Sequence, residues 1–163
     1  MLDVSYGTAA DTNARELLDF YHRLNHDIAA QPAQLTAMVQ RSDAFVTARV
    51  GGKLIGIARG LCDGLRGYLT ECKLDIEFQG PAAVTRTDGR IEHDQYGIAA
   101  EMAHRVMEAL IGQGVQRVDV IAWGTEVDFC EELGFKRVGG LMGLTMTAGA
   151  AIRAKAMAGA GAE

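Results

Sequence analysis

The spacing of apolar residues changes period at Ala44, and that change limits the fold more than any other feature of the chain. Before it, Thr12–Leu24 carries Leu17, Phe20, Tyr21 and Leu24 at three- and four-residue spacing, the stripe of an amphipathic helix that Asp11 or Thr12 could cap. Pro32 suits the first turn of a second helix bearing Leu35, Met38 and Val39. From Ala44 to Val50 the pattern alternates, with Val46, Ala48 and Val50 opposite Phe45, Thr47 and Arg49. Gly51-Gly52 then reads as a two-residue turn into a second strand, Lys53 to Leu61, so an antiparallel hairpin stands in the middle of the chain. A third extended run, Arg66 to Phe78, places Tyr68, Thr70, Cys72, Leu74 and Ile76 on one face and Glu71, Lys73 and Asp75 on the other.

Pro81 to Tyr96 has little apolar content and reads as a loop. Gly97 to Leu110 returns to helical spacing through Ile98, Met102, Val106 and Leu110, and Gly112 and Gly114 end it. Val115 to Trp123 is a short apolar strand, Val127 to Leu133 a short helix stopped by Gly134, and Phe135 to Met146 a last strand. The Ala- and Gly-rich segment 148–163 is either a frayed helix through Ile152 and Met157 or disordered. This order predicts an α+β domain over residues 1–147, with a mixed, mainly antiparallel central sheet flanked by helices on both faces, followed by the tail 148–163.

Composition narrows the function classes. A net charge of −5 gives no global basic field for nucleic acid. No apolar run approaches the roughly 20 residues that cross a bilayer, so no membrane partner is expected. Met1-Leu2-Asp3-Val4 lacks the basic and apolar regions of a secretion signal, which points to the cytoplasm. Cys62, Cys72 and Cys130 are odd in number and contain no Cys-x-x-Cys pair. They suit reduced thiols, or plain packed cysteines, better than disulfides or a metal site, and no metal is expected.

The helix start Gly97-Ile98-Ala99-Ala100 is a place where anions could bind. Its first-turn N–H groups lack intrahelical partners and face outward at the positive end of the helix dipole. A helix that begins with glycine and binds nothing is the alternative. Glu71, on the polar face of the third strand, is a candidate base or a salt-bridged strand carboxylate. His22 and His26 end the first helix beside Tyr21, and His104 faces away from its helix's apolar stripe.

Phe129-Cys130-Glu131-Glu132-Leu133-Gly134-Phe135-Lys136 resembles the F-Y-E-K-L-G-F-K junction of GNAT-superfamily acetyltransferases, with Cys130 in the place of the tyrosine. Leu69 to Gly80 is similar to that family's I-E-D-L-A-V-H-P-E-Y-R-G. Gln79-Gly80 and Gly97-Ile98-Ala99 match the two halves of its R-G-x-G-I-G run, with the sixteen residues Pro81–Tyr96 between them. The resemblance extends from about Ala44 to Met146. It implies an N-acetyltransferase that moves an acetyl group from acetyl-CoA directly to an amine, on a small molecule or a peptide. Backbone groups of Cys72, Lys73 and Leu74 would pair with the pantetheine arm. Gln79, Gly80, Gly97, Ile98, Ala99 and Ala100 would receive the phosphates. Glu71 would be the base and Cys130 the acid, and homodimers are common in the family. Trp123 stands where the family often has asparagine, and Arg86, Arg90 and His93 of the inserted loop could close over the phosphates, touch the acceptor or belong to a mobile loop. The alternative function is a catalytically weak GNAT-like binding or regulatory protein.

Overall fold

The computed structural model describes residues 1–26, 28–83 and 88–161. Helices α1 (Ala14–Arg23) and α2 (Pro32–Arg41) form where their apolar stripes place them. The cap of α1 is Asn13, one residue beyond the expected positions, and its side chain accepts the Glu16 N–H at 3.0 Å. The meander follows as β2 (Ala44–Val50), β3 (Lys53–Cys62) and β4 (Arg66–Leu74), and both glycines of the Gly51-Gly52 turn have positive φ. Two outer strands complete a five-stranded sheet of order β1-β2-β3-β4-β5. β1 (Val4–Gly7) lies antiparallel to β2, and β5 (Arg117–Val120) runs parallel to β4. Strand β1 went unforeseen because Val4-Ser5-Tyr6-Gly7 is too short to carry a period.

Helices cover both faces, as the element order predicts. On one face α3 (Ile98–Gly112) buries Ile98, Met102, Val106 and Leu110 against Ile55, Ala58, Leu69 and Leu74. Its close approach depends on Gly56 and Gly60 in β3: a Cβ there would stand 2.7 Å from the Met102 side chain and 2.8 Å from that of Leu110. On the other face α1 and α2 bury Leu17, Phe20, Tyr21 and Leu35 against Phe45, Leu54 and Ile57. Each such side chain contributes roughly 1.5–3 kcal/mol of burial. The short α4 (Val127–Glu132) adds Phe129 and Cys130 to the α3 side.

Two expectations are corrected. The alternation of β4 is not continuous: Arg59 opposes Glu71 while Gly60 opposes Leu69, so Thr70 is an extra residue and the faces exchange there. Leu69 and Leu74 therefore both point to the α3 side, and Tyr68 does not. Second, residues 135–146 form no strand. Gly139, Gly140 and Gly143 weaken it, and Leu141 and Leu144 are 76% and 91% exposed. The far edge of β5 thus has no strand beside it among the described residues. Helix α5 (Ala148–Ala160) follows and buries none of its side chains. None of the described helices is long and apolar enough to cross a membrane.

Candidate active site

β4 and β5 pair from Arg66–Arg117 to Leu69–Val120 and then part. Beyond that point β4 continues to Leu74 against β3 alone, while β5 gives way to Ile121, Ala122 and Trp123 and then to α4. A cleft of about 390 Å³ opens between them. Thr70, Glu71, Cys72 and Lys73 line one side, and Val120, Ile121, Trp123, Phe129 and Cys130 line the other. Tyr21 and His26 reach it from the end of α1, Asp88 and Arg90 from the inserted loop. A strand edge without a neighbouring strand can take an extended ligand as an added one. The last residue of that edge is already engaged, since the Leu74 N–H donates to the Gly89 carbonyl at 2.9 Å.

Glu71 is held from two directions. The Tyr21 hydroxyl donates to both carboxylate oxygens, at 2.9 and 3.0 Å, and Arg59 Nε donates to one of them at 2.8 Å. Arg59 and Glu71 are direct cross-strand partners, so the sheet register itself makes this pair. Burial, and next the Glu71 charge, push the Tyr21 hydroxyl far above its ordinary range, which keeps it a donor. Cys130 is 7% exposed. Burial, and then the charge of Glu126, raise its thiol to about 11, so it is a thiol at neutral pH. Cys72 donates its S–H to the Ala99 carbonyl at 3.8 Å, and burial followed by the Asp94 charge raises it as well. Lys73 is turned to the inserted loop: Nζ donates to the Asp88 carbonyl at 2.8 Å and stands 3.6 Å from the Asp88 carboxylate.

The described part of the inserted loop is pinned to the body. Ile91 is fully buried in the core. The buried Gln79 side chain donates to the carbonyls of Leu74 and Arg90, at 3.0 and 2.8 Å, and accepts the N–H groups of Glu92 and His93, at 2.9 and 3.1 Å. A Cβ on Gly80 would lie 2.5 Å from the Gln95 side chain, so glycine there lets the loop pack. The Arg90 guanidinium stacks 3.9 Å from the centre of the Trp123 ring, and Arg86 lies outside the described residues. At the start of α3, Gly97 takes the left-handed conformation with φ of 70° and Ile98 is buried. The Ala99 and Ala100 N–H groups donate to the two oxygens of Asp94, at 3.0 and 2.8 Å.

Glu71, Cys72, Lys73 and Cys130 therefore share one cleft, whereas Leu74, Gln79, Gly80 and Gly97 to Ala100 do not line it. His22, His93 and His104 are exposed, and His26 stands 3.4 Å from Asp88. Sequence reasoning passed over Arg59 and Asp94. Asp94 lies three residues before the N-cap Gly97, outside the usual capping position, so no helix-start signal marks it. Arg59 needed the hairpin register, which the extra residue at Thr70 conceals.

No protein-family model matches the sequence, and no curated protein does. Solved structures do match. An acetyltransferase from Trypanosoma brucei aligns at 15% identity over 88% of this chain and 100% of its own, with a TM-score of 0.65. A GNAT-family acetyltransferase from Streptococcus pneumoniae TIGR4 aligns at 14% identity over 90% and 98%, with a TM-score of 0.58. The fold is that of the GNAT acetyltransferases. Glucosamine-6-phosphate N-acetyltransferase from Arabidopsis thaliana shares it at 10% identity over 89% and 99%, with a TM-score of 0.65. At such identities the GNAT likeness carries architecture, and the site's chemistry rests on this chain's own residues.

The cleft between the parting strands fits the extended arm of a pantetheine thioester. The start of α3 fits that donor's phosphates poorly in this arrangement, because two of the amides that would hold them, those of Ala99 and Ala100, are taken by Asp94.

Proposed function

We propose that the protein is an N-acetyltransferase whose acyl donor is a pantetheine thioester of the acetyl-CoA kind and whose acceptor is a small-molecule or peptide amine. One observation carries this reading: β4 and β5 separate after Leu69 and Val120, and Glu71 and Cys130 are both among the residues that line the resulting cleft. A bound acyl thioester supplies a carbonyl carbon at which a C–N bond forms and the C–S bond breaks, with one proton leaving the amine and one reaching the sulfur.

The chain's own residues do the rest by position and charge. The β4 edge at Thr70 to Lys73 lays an extended arm along the cleft. A cationic amine loses one proton to solvent before it attacks. Glu71, fixed by Tyr21 and Arg59, is the group placed to accept the proton that nitrogen loses as the C–N bond forms. Cys130 remains a thiol and can donate a hydrogen bond to sulfur. Outright proton transfer from a thiol near 11 to a departing thiolate of ordinary pKa, about 8.5, runs uphill, so Cys130 orients more than it protonates. A fixed anion in the cleft supports a cationic amine as acceptor, and glucosamine-6-phosphate as a neighbour's substrate agrees with that class. A cytoplasmic protein, active as a homodimer, is part of the same reading.

Calorimetric titration with acetyl-CoA, coenzyme A and S-acetylpantetheine tests it. Binding of the acetylated ligands is expected, and no heat from any of them at millimolar concentration overturns the proposal. A second reading, a binding or regulatory protein, is favoured by the Arg90–Trp123 stack at the cleft and by Asp94 on α3. Ligand binding without acyl transfer to any amine in a broad panel would favour it.

A further inference from the structure

The helix start that an anionic donor would use is closed by the chain itself. The two oxygens of Asp94 sit on two first-turn amides of α3, those of Ala99 and Ala100, with the sign an anionic ligand would have there. Asp94 is not on a loose arm. Its carbonyl accepts the Gly97 N–H at 3.2 Å, the next residue's N–H donates to the Gln79 carbonyl at 3.0 Å, and the two residues before it are held by the Gln79 side chain. The first turn of α3 adds a second carboxylate, Glu101, whose partner is Arg105 at 2.7 Å. Burial and then the charge of Glu101 raise the Tyr6 hydroxyl, Arg105 opposes them and Asp94 adds to them more weakly, so both carboxylates and one cation act on one small region. Among the described residues, two nearby cations of the loop and β4, Lys73 and Arg90, both face Asp88, at 3.6 and 3.1 Å.

We infer that this site recognises its acyl donor by the pantetheine arm and makes no use of the nucleotide's pyrophosphate, so the donor class is an acyl-pantetheine thioester, free or carried on a protein. The inference rests on the reading of the cleft as a thioester site. The arm end is open along Thr70 to Lys73, while a pyrophosphate at α3 would have to displace a fixed carboxylate. An arm without a nucleotide avoids this.

The test compares S-acetylpantetheine with acetyl-CoA by calorimetry on the native chain, on Asp94→Asn and on Asp94→Ser, which keeps a neutral capping side chain. The native protein is expected to bind the two ligands within about threefold of each other, and each variant to gain roughly tenfold or more for acetyl-CoA alone as the Ala99 and Ala100 amides are freed for the pyrophosphate. Native binding of acetyl-CoA about tenfold or more tighter than S-acetylpantetheine overturns the inference and leaves the cleft assignment standing. So does an unchanged ratio in both variants. Failure of the native protein to bind either ligand overturns the cleft assignment and the inference with it. An acetylated carrier protein bearing the same arm separates the two sources: affinity well above that of S-acetylpantetheine assigns the protein-borne donor, and equal affinity the free one.

Discussion

At the scale of single residues, the cleft is governed by which groups stay charged and which stay neutral. Among the described residues, Glu71 is the one carboxylate held by both a buried tyrosine and an arginine, and Glu71→Gln should lower turnover at least about tenfold while leaving donor affinity nearly unchanged. Steady-state rates beside calorimetry separate the two effects. Tyr21→Phe removes a donor to a charged acceptor and should cost about 1.5–3 kcal/mol in a denaturant titration. Cys130 gives a pH signature. With its thiol raised to about 11, alkylation followed by mass spectrometry should climb between pH 9 and 11 and change little below pH 9. The sign for stability follows: a thiol that holds its proton more tightly when folded contributes fully below its ordinary value and loses that contribution as pH rises towards about 11. These residues were legible to different degrees. Glu71 and Cys130 stand out in the sequence by face and by family pattern, whereas Arg59 meets Glu71 only through a register twelve residues apart that contains a bulge.

At the scale of elements, periodicity over long segments was reliable and short or glycine-broken segments were not. The stripes of α1 and α3 bury the very residues their spacing selects, because a helix reports its core face every three or four positions. Four-residue β1 carries too little pattern, and residues 135–146 alternate enough to suggest a strand although three glycines deny it. The inserted loop misled differently. It is polar, yet one buried Ile91 and the side chain of Gln79 fasten its described part to the body. Gln79→Leu should therefore release it. We expect a loss of about 3 kcal/mol, four hydrogen bonds going at once, together with faster amide exchange at Glu92 and His93. A variant as stable as the parent, with those amides still protected, would remove Gln79 from this role.

At the scale of the whole molecule, the order of elements determined the sandwich of helix, sheet and helix, since a meander followed by crossover connections leaves few other arrangements. The contents of the cleft were less accessible, because they come from α1, β3, β4, the loop and α4, joined only by the final packing. The exposed Val138, Leu141, Met142 and Leu144 are the apolar surface on which the proposed homodimer would form. Sedimentation should accordingly show association rising with concentration, and Leu141→Lys with Leu144→Lys should abolish it. The parting of β4 and β5 has a further consequence, in the time domain. The pairings of β2, β3 and β4 close over short turns, but Leu69 must wait for Val120, fifty-one residues later in the chain. One wall of the cleft is thus assembled early and the other last, and pulsed hydrogen exchange during refolding should find the β5 amides protected after those of β3. The same ordering in reverse makes β5 the first strand to fray, so ligand capture should fail on warming before the rest of the sheet melts.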